Sequence, residues 1–149
     1  MKFLLPLVVS TFALASCSSI VQDDVSRYRI VNDSVSWTEA KLLAEQEGGH
    51  LATFSSWQEL NHLESRLPVR SIFWIGLTDE VEEGAWTWVD GTPLERGMQS
   101  NLQLGRDRAT RDYAHITLQG EFGSRDNSGA LPQGVTGRNQ VDGYVIEFD

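Results

Sequence analysis

The sequence predicts an α+β domain: a short strand, two amphipathic helices, then strands separated by long irregular loops. Three observations carry that expectation. Apolar residues recur at helical spacing between Ser36 and Leu67. From Ile72 onward the apolar pattern becomes strand-like. Two stretches, Thr92–Arg111 and Gln119–Asp142, show no clear period, and loops of such length in a compact domain are usually functional or disordered.

The elements follow in order. "YRIV", Tyr28 to Val31, reads as a first strand, with a turn at Asn32-Asp33. Ser36 is a natural helix N-cap, and Glu39 three residues on completes a capping box. Trp37, Ala40, Leu43 and Ala44 share one face of that helix, and Gly48-Gly49 stop it. After the short apolar segment "HLATF", Ser55 and Ser56 open a second helix carrying Trp57, Leu60, Leu63 and Leu67 at helical spacing, ended by Pro68.

"IFWIGL", Ile72 to Leu77, is a near-continuous apolar run of strand length, expected to be buried on both faces. "DEVEEGA" reads as a solvated turn. In "WTWVDG", Trp86 and Trp88 fall on one face and Thr87 and Val89 on the other. Trp74, Trp86 and Trp88 are therefore expected to be core, leaving the loops after them as candidates for ligand contact. "DYAHITL" and the closing "GYVIEF" read as further strands.

The N-terminal "MKFLLPLVVSTFALASC" pairs basic Lys2 with an apolar run, Phe3 to Leu14, and then small residues. That is a secretory signal pattern, too short for a membrane span. "LASC" resembles the bacterial lipobox, in which cleavage leaves the cysteine as a lipidated N-terminus. An ordinary signal peptide with an incidental cysteine is the competing reading; against it, Cys17 is the single cysteine of the chain. The expected division is a lipoprotein signal peptide at 1–16, a lipidated N-terminus and linker at 17–26, and one domain at 27–149. The expected location is an exported, lipid-anchored one, at the outer membrane of a two-membrane cell because Ser18 rather than Asp follows the cysteine.

The chain carries 12 Lys and Arg against 21 Asp and Glu, a net charge of −9 that becomes −10 when Lys2 leaves with the leader. That balance argues against nucleic acid and against charge-driven binding to anionic membranes. One cysteine excludes an internal disulfide, so the domain must rely on its apolar core.

"SWTEAKLLAEQEGGHLATFSSWQELNHL", "FWIGLTDEVEEGAWTWVDGTPL", "DYAHI" and "GYVIEFD", in this order, resemble the C-type lectin-like domain over Arg27 to Asp149. The "WIGL" strand, the "W.W.DG" strand and the "GGHLA" turn are the most specific pieces. The resemblance implies an α+β fold of two helices with short antiparallel sheets, paired N- and C-terminal strands, and a ligand site in a long loop. Two departures stand out. The family usually ties helix one to the last strand by a disulfide, where Ala44 and Ile146 stand here. Calcium-dependent members carry "EPN" or "QPD" in the long loop and "WND" later, where this chain has "GRDRAT", Gly105 to Thr110, and "RDN", Arg125 to Asn127. Calcium takes six to eight oxygens. Arg106, Arg108 and Arg125 set cations where a cation would bind, so no cofactor is expected; a remodelled site using Asp107, Asp126 and Asn127 is the alternative.

Arg96, Arg106, Arg108 and Arg111 against Glu95 and Asp107 make Thr92–Arg111 locally +2. Guanidinium forks bind carboxylate or phosphate in a bidentate way. The loop reads either as a site for an anionic glycan or acidic protein face, or as a solvated loop paired with the domain's own acids. The candidate ligand-binding residues are Arg106, Asp107, Arg108, Asp126 and Asn127, with Trp88 adding an apolar face if it is not fully buried. No catalytic set emerges, and an enzyme is not expected. Asp79, Glu80, Glu82 and Glu83 are turn residues rather than a glycosidase pair. His50, His62 and His115 lack zinc spacing, His50 reading as a local hydrogen-bonding residue and His115 as packed in its strand. Two function classes remain: a surface-tethered carbohydrate-binding module, and a protein-interaction or adhesion module on the same fold.

Overall fold

The computed structural model describes residues 27–99, 110–117, 122–129 and 140–149. The elements are β1 (Tyr28–Val31), α1 (Trp37–Gln46), β2 (His50–Leu51), α2 (Trp57–Glu64), β3 (Ile72–Thr78), β4 (Thr87–Trp88), α3 (Arg96–Gln99), β5 (Tyr113–Thr117), β6 (Phe122–Arg125) and β7 (Gly143–Glu147). The strands form one sheet in the order β1-β7-β3-β5-β6, with β2 paired to β7 and β4 to β3. The N- and C-terminal strands pair antiparallel, Tyr28 opposite Glu147. At the centre, β3 and β7 run parallel, so the sheet is mixed rather than a set of purely antiparallel pieces.

β3 is the spine. Ile72 to Leu77 are all buried, as a strand covered on both faces should be. The two-residue period divides it: Phe73, Ile75 and Leu77 enter one core cluster with α2, Trp86 and Trp88. Ile72 and Trp74 enter a second with Trp37, Ala40 and Ala44 of α1. Ala44 and Ile146 both lie in that second cluster with no exposed surface, so an apolar pair fills the space where the family's bridge usually sits. Two indoles are pinned as well as packed: Trp37 Nε1 donates to the Ile75 carbonyl at 2.8 Å, and Trp74 Nε1 to the Val35 carbonyl at 3.0 Å.

Helix α1 starts where its cap predicts. Ser36 accepts from the Glu39 amide, and Gly48 takes φ +83° just beyond the C-terminus. α2 is likewise capped by Ser56 but ends at Glu64, three residues short of Leu67. Leu67 is still buried, reached through a turn rather than a helical face. β4 is shorter than the tryptophan alternation suggests, because Asp90 folds the chain back by accepting from both Thr92 N and Oγ1. Two elements sit inside stretches expected to be irregular: the single turn α3, and β6, which pairs with β5.

The chain ends are locked by a buried carboxylate. Glu147, 1% exposed, accepts through Oε2 from Thr53 N and Oγ1, both at 2.8 Å, and its Oε1 forms an ion pair with Arg27 at 2.6 Å. His50 hydrogen-bonds locally, its Nδ1 lying 2.9 Å from the Leu51 carbonyl oxygen.

Candidate functional site

Of the five candidate ligand residues, Arg106, Asp107 and Arg108 lie outside the described residues, as does Cys17. Asp126 and Asn127 occupy the turn that follows β6, against the start of α1. Both are tied into hydrogen bonds. Asp126 Oδ1 accepts from Ser128 N at 2.9 Å and Ser128 Oγ at 2.6 Å, a self-contained turn. Asn127 accepts from Thr38 N through Oδ1 at 3.0 Å and donates to Thr38 Oγ1 through Nδ2 at 3.1 Å. Its backbone carbonyl accepts from Trp37 N at 3.0 Å.

Arg125 is not a surface cation. It is 3% exposed and donates to the Gly129 carbonyl at 2.8 Å, closing the turn from inside. Burial, and Arg111 nearby, lower its proton affinity, while Asp126 and Asp142 oppose that shift. Across the hairpin stands His115, buried as expected, its ring edge-on to Trp74. Desolvation, then Arg125 and Arg111, lower its pKa to about 3, so it is neutral at physiological pH. The ring lies over Gly123, where a Cβ would come within 2.4 Å of Cε1. Glycine is required there by the approach of the imidazole rather than by backbone angle.

The acidic turn after β3 is also not wholly solvated. Asp79 is 4% exposed; one oxygen accepts from Gly84 N at 2.9 Å, and Oδ1 is buried without a hydrogen-bond partner. Desolvation raises its pKa, with the Gly84 bond opposing and Glu83 and Asp112 reinforcing. Next to it, Glu80 accepts from the Tyr113 hydroxyl at 2.6 Å. The five-residue return from Asp79 to Gly84 was the available sequence signal, since a carboxylate closing such a turn turns inward. Trp88 is 4% exposed and so offers no broad face to a ligand.

These features test the fit of calcium. Asp126 Oδ1 and Asn127 Oδ1 already accept from amides or hydroxyls, and the residue before them is a buried guanidinium. Among the described residues no group of three or more His, Cys, Asp or Glu is placed to hold a metal ion.

The chain matches the family profile of the lectin C-type domain over residues 33–128. It belongs to the C-type lectin domain family. Mouse C-type lectin domain family 10 member A is 37% identical over 104 residues, covering 65% of this chain and 33% of that protein. The chain spans about a third of the length of the curated relatives it matches most clearly. Among solved structures, the cow CD23 C-type carbohydrate-recognition domain, studied in the presence of a GlcNAc2Man3 oligosaccharide, aligns with a TM-score of 0.63 at 24% identity, covering 80% of this chain and 84% of that one. A calcium-independent type II antifreeze protein aligns at 0.59 and 18% identity, covering 80% and 82%. These likenesses establish the C-type lectin fold, with its helices packed on one sheet.

Proposed function

We propose that this C-type lectin domain is a surface-tethered module that binds an anionic glycan through the Thr92–Arg111 loop and the Arg125–Asn127 turn, by direct contacts rather than a calcium bridge. The observation that carries the reading is the state of Asp126 and Asn127. Asp126 Oδ1 is bonded to Ser128 and the Asn127 side chain to Thr38, so these groups shape the turn, which supports a reading in which the loop arginines rather than a bound cation meet the ligand. Arg106 and Arg108 supply the charge, and guanidinium forks suit carboxylate or sulfate-like groups. The lectin family membership supports a carbohydrate ligand; a protein partner with an acidic face is the second class the same arginines would serve. Residues 1–16 act as the leader, Cys17 carries the lipid, and residues 17–26 tether the domain at 27–149 to the membrane. The module binds and does not catalyse.

A glycan array read at low and high salt, each with calcium and with EDTA, tests this. Binding to acidic glycans that persists in EDTA and weakens with salt is expected, because exposed charges are screened within about 8 Å at physiological ionic strength. Binding that ignores salt and disappears in EDTA would restore a calcium mechanism. No glycan binding at all would leave the protein-interaction reading.

A further inference from the structure

A pocket of about 190 Å³ lies between the first turns of α1, the turn after β3, and β4. α1 supplies one wall through Trp37 and, one turn on, Lys41. The turn after β3 supplies the lip through Asp79, Glu80 and Ala85, and β4 the floor through Thr87 and Trp88. None of these residues belongs to the long loop or to the Arg125–Asn127 turn.

We propose that this pocket is a separate, metal-free subsite for a single pyranose, with an amino sugar the best-matched occupant. The inference does not rest on the long-loop reading. Size sets the first limit: pockets that bury drug-sized ligands run to roughly 300–1,000 Å³, so this one holds a ring and not a chain. Chemistry sets the second. The lining mixes apolar surface from Val81, Ala85 and Val89, in front of two nearly buried indoles, with two carboxylates, two threonine hydroxyls and one ammonium. A sugar ring has that alternation of C–H faces and hydroxyl donors and acceptors.

Asp79 supplies the orientation. Its Oδ1 is buried with no hydrogen-bond partner, a costly condition that a donor from a ligand relieves. Glu80 is fixed beside it by the Tyr113 hydroxyl. Two adjacent carboxylates favour a cationic donor, which an amino sugar carries and a neutral sugar does not. Lys41, 3.7 Å from Glu45 in an exposed pair of little strength, is free to turn to a ring hydroxyl at the rim.

The test is titration of the full chain with glucosamine and with glucose, in EDTA and again in calcium, followed by the indole N–H resonances of Trp37 and Trp88. Saturable shifts confined to those two indoles, with a Kd on the order of 1 mM and glucosamine at least as tight as glucose, are expected. Ala85→Leu fills the pocket from an exposed position and should abolish the response without disturbing the fold. Asp79→Asn keeps an oxygen for Gly84 and should weaken glucosamine at least tenfold. The Arg106→Ala/Arg108→Ala chain should bind as the parent does. Four results would each overturn the inference: no response to either sugar, a response only when calcium replaces EDTA, a response unchanged by Ala85→Leu, or binding of glucose with glucosamine excluded. Loss in the double arginine variant with retention in Ala85→Leu would place the sugar at the long loop, overturning this subsite while leaving the proposed function standing.

Discussion

Asn127 caps α1 from across the fold through Thr38. The Thr38 amide donates to Asn127 Oδ1 at 3.0 Å, and Asn127 Nδ2 returns a bond to Thr38 Oγ1 at 3.1 Å. With Trp37 N on the Asn127 carbonyl and Glu39 N on Ser36 Oγ, the orphan amides of the helix's first turn are satisfied partly by the chain itself and partly by the turn after β6. Net contributions of such bonds are about 0.5–1.5 kcal/mol each. Asn127→Ala should therefore cost about 1–2 kcal/mol in urea unfolding. Asn127→Asp, which keeps the acceptor for Thr38 N, should cost less. Equal costs for the two would show that the amide bond to Thr38 contributes nothing.

Gly123 and His115 are matched in shape. A Cβ at residue 123 would sit 2.4 Å from Cε1 and 2.6 Å from Nε2 of a buried ring that has little room to retreat. Overpacking of this kind costs about 1–3 kcal/mol. Gly123→Ala should lower the melting temperature, and adding His115→Ala should recover part of the loss. Two losses that simply add would mean the ring is not what Gly123 accommodates.

The same histidine predicts an acid limb in stability. Its folded pKa of about 3 is below its unfolded value of about 6.5, so the fold favours the neutral ring. The contribution is complete above the unfolded value and is lost as pH falls toward the folded one. At pH 5 the loss is about 2 kcal/mol, at 1.36 kcal/mol per unit. The groups facing the ring are Arg125 and Arg111, so protonation also sets like charges together. Chemical denaturation at pH 7 and pH 5 should show the parent losing that amount beyond His115→Leu; parallel curves would mean that the ring protonates freely in the folded state.

Local signals were readable in the sequence and long-range ones were not. α1 is bounded by Ser36 and Gly48, which act on their own neighbours, and β3 by an apolar run that only a doubly covered strand would carry. β6 carries no such signal. "FGSR" combines a glycine, a small hydroxyl residue and a cation, and it is a strand because β5 pairs with it and His115 needs Gly123 beneath it. Arg125 reads as a surface charge because its burial depends on packing beside His115 on the paired strand; Asp79 carries a local signal in its return to Gly84, while the bond from its amide to the Asp112 carbonyl has none. The candidate site divides the same way: the choice of Asn127 followed from the family pattern, but its use as a cap on Thr38, 89 residues away, has no sequence signature.

Cys17 decides the tether. If it carries lipid, Cys17→Ser should move the protein from the membrane fraction to the soluble one. Acyl chains contribute about 0.8 kcal/mol per buried methylene, and two of them anchor firmly where one does not. An unchanged distribution after fractionation would remove the lipoprotein reading while leaving the lectin domain untouched.

Arg106 and Arg108 carry the charge of the proposed ligand contact, and their removal is the sharpest check on it. Each charge-assisted hydrogen bond contributes about 1.5–3 kcal/mol, and about 1.4 kcal/mol is tenfold in affinity, so Arg106→Ala with Arg108→Ala should weaken an acidic glycan at least tenfold. Replacing both by lysine keeps the charge but loses the bidentate fork, so binding should recover only in part and should keep its salt dependence. Full recovery with lysine would mean that the loop steers by charge alone. Titrating one array hit against the parent and both double variants at two salt concentrations separates these outcomes, and an affinity unchanged in the alanine variant would remove the long loop from the binding site.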